Sequence, residues 1–411
     1  MRRKLNLSRG ILLSLLGTVL ILAGHAGAQL PDDIKSDLGP NVPAFKVRPG
    51  YRVTRAVAPD ALRWSRFLQF SADGKTLYVS GNERQRFGSI YALRDPDANG
   101  VFTKVTTFVP DKSSVQGMAI HDGWLYYSQA GEGSVERARD TNGDGVADEV
   151  QVVLPRNSVP AGGGHPFEGL LVTDKEIYIT ASDPTNFTPA LDSDRKKIYV
   201  FDIDGKNRRE FVSGIRNTEK LRFRPGTTEI WGFDHGSDNF GQPYGERTGQ
   251  NQPITDLNPN EEFNHYVAGA FYGHPYIMGN GVPRPDTAKL PGIDVVELAA
   301  KTTAPEWLVH AHWAVLGFTF IEKDYFPGTQ GDCFFASHGS WNSVKPVGAV
   351  IQRIMFDQVT GHPYGSQTIV DCQIGSRRLA RPVDLAEAPD GTLLFSCDEP
   401  TPALYRISKS N

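Results

Sequence analysis

The sequence predicts an all-β fold, a six-bladed β-propeller with long loop insertions gathered on one face, and three observations predict it. One strand–turn–strand pattern recurs six times along 411 residues. The first four copies begin 50, 52 and 51 residues apart, a length that suits a four-stranded blade with its connections. Finally, 42 Gly and 28 Pro punctuate short runs of Tyr, Phe and Val, and long amphipathic helices are absent.

The copies follow in order. FLQFSADGKTLYVSG begins at Phe67, GMAIHDGWLYYSQ at Gly117, GLLVTDKEIYITASD at Gly169, and KLRFRPGTTEIWGFD at Lys220. After these come GFTFIEKDYFPGTQGDCFFASHG at Gly317 and DLAEAPDGTLLFSCD at Asp384. Each reads as a strand, a polar turn and a second strand. The spacing widens to 97 residues between the fourth and fifth copies and to 67 between the fifth and sixth, which places the insertions in this half of the ring. YRVTRAVA, from Tyr51, has no partner of its own; pairing with ALYRI, Ala403 to Ile407, would complete the last blade and hide the sheet edges.

Ahead of the propeller, Arg2, Arg3, Lys4 and Arg9 precede an apolar stretch from Ile11 to Ala23 and then Ala26-Gly27-Ala28. This pattern predicts a secretory signal peptide over 1–28, cleaved after Ala28, an N-terminal extension over 29–42 and the propeller over 43–411. Gln29 stands where a lipoprotein would carry Cys, and no later segment is long and apolar enough to span a membrane. The expected location is periplasmic or secreted. Without the four basic residues of the leader, 39 Lys and Arg face 47 acidic groups, a net charge of about −8, so nucleic acid is not an expected partner. Cys333, Cys372 and Cys397 form no C-x-x-C or C-x-x-C-H arrangement, which argues against a zinc ribbon or covalent haem.

Several motifs gather around the last three copies. They are GIRNTEKLRF from Gly214, DHGSDNFG from Asp234, NPNEEFN, GAFYGHPY, HWAVLGFTF from His312, FPGTQGDCFFASHGSWNSVKPVG from Phe326 and RPVDLAEAPDGTLLFSCD from Arg381. In this order they resemble the glucose/sorbosone dehydrogenase family, six-bladed quinoproteins that use pyrroloquinoline quinone (PQQ), and the sorbosone dehydrogenase-like branch most of all. The likeness runs from about Pro43 to the C-terminus.

A flat ortho-quinone with three carboxylates needs cations at its rim, a hard divalent ion on the quinone oxygen and a base beside the reacting carbon. Arg216 and Asn217 match the family's PQQ-contacting pair, and a guanidinium forks well onto a carboxylate. Arg381 and Lys345 resemble further cations near the cofactor's carboxylates, with Arg377 and Arg378 as substitutes. The backbone carbonyls around Gly236 and Ser237 match the family's calcium position, His235 is the neighbour expected to face the cofactor, and Asp238 and Glu262 either neutralise the ion or brace the loop. His165, in GGGHPFEGLLV, matches the general base.

Within HGSW, Gly339 and Ser340 let a planar ligand approach while His338 and Trp341 border it. His312 matches a position near the substrate pocket; it shares a strand face with His310, but no third zinc ligand is evident. Three departures from the family pattern stand out: Pro166-Phe167-Glu168-Gly169 replaces an expected Arg after His165, TASDPTN replaces a glycine-containing segment, and Ser343 replaces an Arg after HGSWN.

ARDTNGDGVADE spaces Asp140, Asn142, Asp144 and Asp148 as a calcium loop does, with Gly145 allowing the turn; a structural calcium site and a solvated β-turn are equal readings. The resemblance implies an exported, PQQ- and calcium-dependent dehydrogenase oxidising a sugar, a sugar aldehyde or a related polyol. A separate electron acceptor would take the electrons. A calcium-dependent lactonase and a non-catalytic exported binding propeller are the competing readings.

Overall fold

The computed structural model describes residues 30–83, 87–166, 168–245, 252, 254–286 and 292–410. The leader read over 1–28 and its cleavage site lie outside the described residues.

Six sheets of four or five strands form the blades, and each predicted copy supplies the first two strands of one. Blade 1 comprises Leu68–Phe70, Leu77–Glu83, Phe87–Pro96 and Phe102–Lys112. Blade 2 comprises Val115–His121, Trp124–Gln129, Ser134–Arg139 and Glu149–Leu154, and blade 3 comprises Leu170–Val172, Glu176–Ala181, Lys197–Asp202 and Arg209–Ser213. Blade 4 is built from Leu221–Phe223, Ile230–Asp234, Glu261–Tyr266 and Trp307–Val309. Blade 5 contains Val315–Phe320, Cys333–His338, Ala349–Phe356 and Pro363–Asp371, and blade 6 contains Arg381–Glu387, Leu393–Glu399 and Ala403–Lys409.

Tyr51–Arg55 completes blade 6, paired antiparallel with Ala403–Lys409 in the register Tyr51↔Lys409 to Arg55↔Tyr405. The closure expected from the sequence is therefore present: the last blade joins both ends of the chain, and separating them would expose a strand edge. Asp37–Leu38, inside the stretch read as an extension, adds a parallel strand beside Arg52–Val53, and Lys46–Val47 lies on the outer edge of blade 5.

Packing follows the same ring. Apolar side chains on facing blades form one cluster per interface, as where Leu394 and Leu404 of blade 6 meet Leu68, Leu77 and Leu93 of blade 1. Inner strands lie between neighbours on both faces, so Val315–Phe320 is buried at every position and reads as a continuous apolar run rather than an alternating one. Lys220, directly before the inner strand of blade 4, bonds Asp384 on that of blade 6. These blades are not neighbours, so this buried ion pair bridges the central channel. A single α-helix, Val295–Lys301, occurs among the described residues; Asp294 caps it by accepting from Val296 N and Glu297 N, and it lies in the long insertion of blade 4.

Candidate active site

In each blade the inner strand begins where the second strand ends, because the two form an antiparallel hairpin. Residues just before the first strand and just after the second therefore meet at one end of the propeller. At that end a cavity of about 450 Å³ opens. Gly164 and His165 come from the approach to blade 3, Arg216, Asn217 and Glu219 from the approach to blade 4, and His312 and Ala314 from the approach to blade 5. His235, Gly236 and Asp238 follow the second strand of blade 4, His338 ends that of blade 5 with Trp341 just beyond, and Asp398 and Glu399 end that of blade 6; Arg66, Glu261 and Arg381 also line the wall.

Five histidines line or flank this region, and their partners fix their tautomers. His165 Nδ1 lies 2.8 Å from the Asp183 carbonyl, which only accepts, so Nδ1 carries the proton and Nε2 keeps its lone pair. Burial, with Arg216 adding to it, lowers the pKa of this imidazole from 6.5 to about 4. His235 is committed at both nitrogens, donating from Nε2 to Val315 O at 2.7 Å and accepting from Asn217 Nδ2 at 3.1 Å. It orients the Asn217 amide and offers no open nitrogen to a ligand. His312 Nε2 bonds Thr255 O at 2.6 Å and holds a left-handed φ of 65°. His338 Nε2 meets Asp398 Oδ1 at 2.8 Å. His274, below the wall, is tied to Asp183 at 2.8 Å.

Three guanidiniums reach the cavity. Arg216 is 3% exposed and braced by Asn186, through Nε to the carbonyl at 3.0 Å and Nη2 to Oδ1 at 3.1 Å, with Asp238 3.6 Å away. Its backbone N–H and that of Asn217 both donate to Asp234, at 2.7 and 2.6 Å, which locks the pair at the strand entrance. Arg381 donates to the carbonyls of His338 and Gly339. That contact explains part of the HGSW motif: Gly339 sits at φ 83°, and a Cβ there would stand 2.9 Å from Val347 O and Ala349 N. Arg66 bonds Asp398 Oδ2 at 2.5 Å.

Residues 45–409 match the TrAA12-like family. The chain belongs to it. The holo form of the pyranose dehydrogenase PQQ domain from Coprinopsis cinerea superposes with a TM-score of 0.70 at 19% identity, covering 90% of this chain and all of that one. The calcium structure of the Trichoderma reesei carbohydrate-active enzyme of family AA12 gives 0.69 at 19% identity over 92% and 100%. The PQQ-bound aldose sugar dehydrogenase from Streptomyces coelicolor gives 0.57 at 15% identity over 89% and 100%. At these identities the likeness is one of fold. An uncharacterised protein of Borreliella burgdorferi is 27% identical over 227 residues, so the match spans about half the length of each chain.

In this TrAA12-like chain the structure brings His165, Arg216, Asn217, His235, Gly236, His312, His338, Trp341 and Arg381 to one cavity. Ser237 lies behind Gly236, lining a second cavity of about 20 Å³ with Asp234, Glu262 and His274. Its hydroxyl accepts from Arg284. Lys345 is exposed and lines neither cavity, because Ser340 and Ser343 tie the loop back beneath it; Arg378 bonds Ser340 O instead. His310 stacks on Trp313.

The Asp140–Asp148 loop lies at the opposite end of blade 2 from the cavity. Asp140 accepts from the N–H groups of Asn142, Gly143 and Gly145, and Asp148 accepts from Thr141 and Asn142, while Arg94 of blade 1 donates to the carbonyls of Gly143 and Asp144. Every contact is that of a turn network braced by a guanidinium.

Sequence reading missed Arg66, Glu219, Glu261 and Asp398. Their signal was positional. Arg66 and Glu219 directly precede the first and fourth copies, and Asp398 closes the sixth. Glu219 is buried, accepting from Gln116 at 2.7 Å and Asn217 at 3.1 Å; burial raises its pKa to about 7.

Proposed function

We propose that this chain is an exported quinoprotein dehydrogenase that oxidises a sugar, a sugar aldehyde or a related polyol with PQQ and calcium and passes the electrons to a separate acceptor. One observation carries the reading: three guanidiniums, Arg66, Arg216 and Arg381, surround one cavity together with a histidine whose free nitrogen is left open.

The residues present fit the cofactor. A tricarboxylate needs cations in a fixed array, and these three are held by carbonyls and carboxylates rather than left mobile. Asn217 Oδ1 is buried with no hydrogen-bond partner, although Nδ2 makes two bonds, so the amide presents an acceptor that a ligand donor would satisfy. Gly236 and Asp238 supply oxygen donors to the same cavity, the set a hard divalent ion takes.

When bound, PQQ would accept hydride, with calcium polarising its oxygen. Arg216, Arg66 and Arg381 would hold its carboxylates. Asn217 adds an amide contact whose orientation His235 fixes. His165 takes the substrate hydroxyl proton on Nε2 while the Asp183 carbonyl keeps Nδ1–H in place. Trp341, 59% exposed, borders the mouth and offers an indole face to a sugar ring. No helix among the described residues is long and apolar enough to cross a membrane.

The experiment is reconstitution of the purified chain with PQQ and calcium, followed by an artificial-acceptor assay over a panel of sugars, sugar aldehydes and polyols. Dye reduction that requires both additions supports the reading. PQQ binding without turnover on any substrate would favour the binding propeller, and lactone hydrolysis without quinone would favour the lactonase.

A further inference from the structure

Blade 4 carries two consecutive glutamates, Glu261 and Glu262, at the start of its third strand. Consecutive side chains on a strand point to opposite faces. Accordingly, Glu261 lines the main cavity and Glu262 the small one behind it, with Gly236 shared between the two walls. Glu262 Oε1 accepts from Gly279 N at 2.6 Å. Glu261 is different: Oε1 accepts from Ala314 N at a long 3.2 Å, and Oε2 has no partner although the residue is only 2% exposed.

A buried carboxyl oxygen without a hydrogen-bond partner in the protein is costly, and its position in the cavity wall points to a ligand that supplies positive charge. The surroundings narrow its class. His235 is committed at both ring nitrogens, to Asn217 and Val315 O, and His312 is tied through Nε2 to Thr255 O. Arg216 is taken up by Asn186 and Asp238. Oxygen donors line the cavity with Glu261: the Asp238 carboxylate, 3.6 Å from Arg216 Nη2, and the backbone of Gly236, which packs so closely on the carbonyls of Pro259 and Asn260 that a Cβ there would stand 2.8 and 2.9 Å from them. An all-oxygen donor set selects a hard divalent ion.

We infer that Glu261 is the anionic side-chain ligand of a calcium-class cation in the main cavity, so that the ion sits on the Glu261 side of the Gly236 backbone rather than on the Glu262 side. The inference rests on the proposed quinoprotein reading for the ion's presence, and it adds the residue that holds it.

The test is equilibrium dialysis of the full chain against radioactive calcium without PQQ, comparing wild type with Glu261→Gln, which keeps the side-chain volume and an acceptor for Ala314 N. The expected result is that Glu261→Gln loses one ion that wild type holds, or binds it at least about thirtyfold more weakly. Wild-type stoichiometry and affinity in the variant would overturn the inference, as would a wild type that binds no calcium at millimolar concentration. If the variant proves unfolded by circular dichroism, calcium-minus-apo infrared spectra of the wild-type chain decide: a shifted carboxylate stretch is expected, and an unmoved one overturns the inference. PQQ titration of the same preparations separates the two claims. Wild type that binds PQQ beside a variant that keeps its calcium removes Glu261 alone; wild type that binds neither removes the quinoprotein reading too.

Discussion

Asp398 joins His338 and Arg66: one carboxylate oxygen lies 2.8 Å from His338 Nε2, and the other accepts from Arg66 at 2.5 Å. Arg66 and Asp398 are 332 residues apart and meet only because blades 1 and 6 close the ring. Burial opposes ionisation of Asp398, yet His338 and Arg66 outweigh it and hold the carboxyl well below the usual range.

Asp398→Ala should therefore remove the close carboxylate partner of the Arg66 guanidinium, leaving Glu219 3.9 Å away, and free the His338 ring. The expected loss is about 3 kcal/mol of stability, read from the urea midpoint at constant slope. If removing Asp398 costs as much in a His338→Ala, Arg66→Ala background as in wild type, the three residues do not act as a unit.

Arg216 and His165 should separate binding from chemistry. Arg216→Ala should weaken PQQ affinity by roughly 2 to 5 kcal/mol, because the guanidinium is buried and would hold a carboxylate in ground and transition states alike. His165→Ala should still bind PQQ but lose on the order of a hundredfold or more in turnover. Absorbance titrations followed by assays at saturating cofactor and substrate read the two effects, and undiminished turnover in His165→Ala would remove it as the base.

How much of this was visible in the sequence depends on what each feature needs. Six strand–turn–strand copies need only local pattern, so blades and closure were legible, down to the pairing of Tyr51–Arg55 with the strand that begins at Ala403. His165 and Arg216 carry family motifs and fell where the hairpin geometry requires. Arg66, Glu219 and Asp398 were not assigned, since what makes them a network is the meeting of blades 1, 2, 4, 5 and 6 around the axis. Lys345 shows the converse: it follows HGSWN in the sequence, yet it is exposed, and Ser343, which stands where the family carries Arg, bonds Ser340 and the Lys345 carbonyl.

Acid should weaken the fold through histidines buried neutral. Burial depresses His165, His235 and His274 from 6.5 to about 4 in each case. A depressed folded-state pKa means the unfolded chain binds the proton more readily, so this stability is complete above about pH 6.5 and is lost as pH falls towards 4. Urea midpoints should decline across that window, and a His274→Gln variant should decline less steeply. Turnover should keep its neutral base down to about pH 5, placing the acid limb nearer 4 than 6.5.

Lys220 and Asp384 bridge the channel, and burial lowers the Lys220 pKa to about 7 despite its partner. Lys220→Met should cost roughly 3 to 5 kcal/mol by leaving Asp384 uncompensated. The Lys220→Met, Asp384→Asn pair should recover part of that loss. A double variant no better than the single would show that Leu68 N and Leu385 N already satisfy the carboxylate.

The most direct measurement is an absorbance titration of PQQ into the purified chain, with calcium present and after chelation. Saturable binding at one PQQ per chain, weakened by chelation and weakened again in Arg216→Ala, is the predicted result. A chain that binds no PQQ in the presence of calcium, or binds it equally well in Arg216→Ala, would contradict the assignment of this cavity to a quinone.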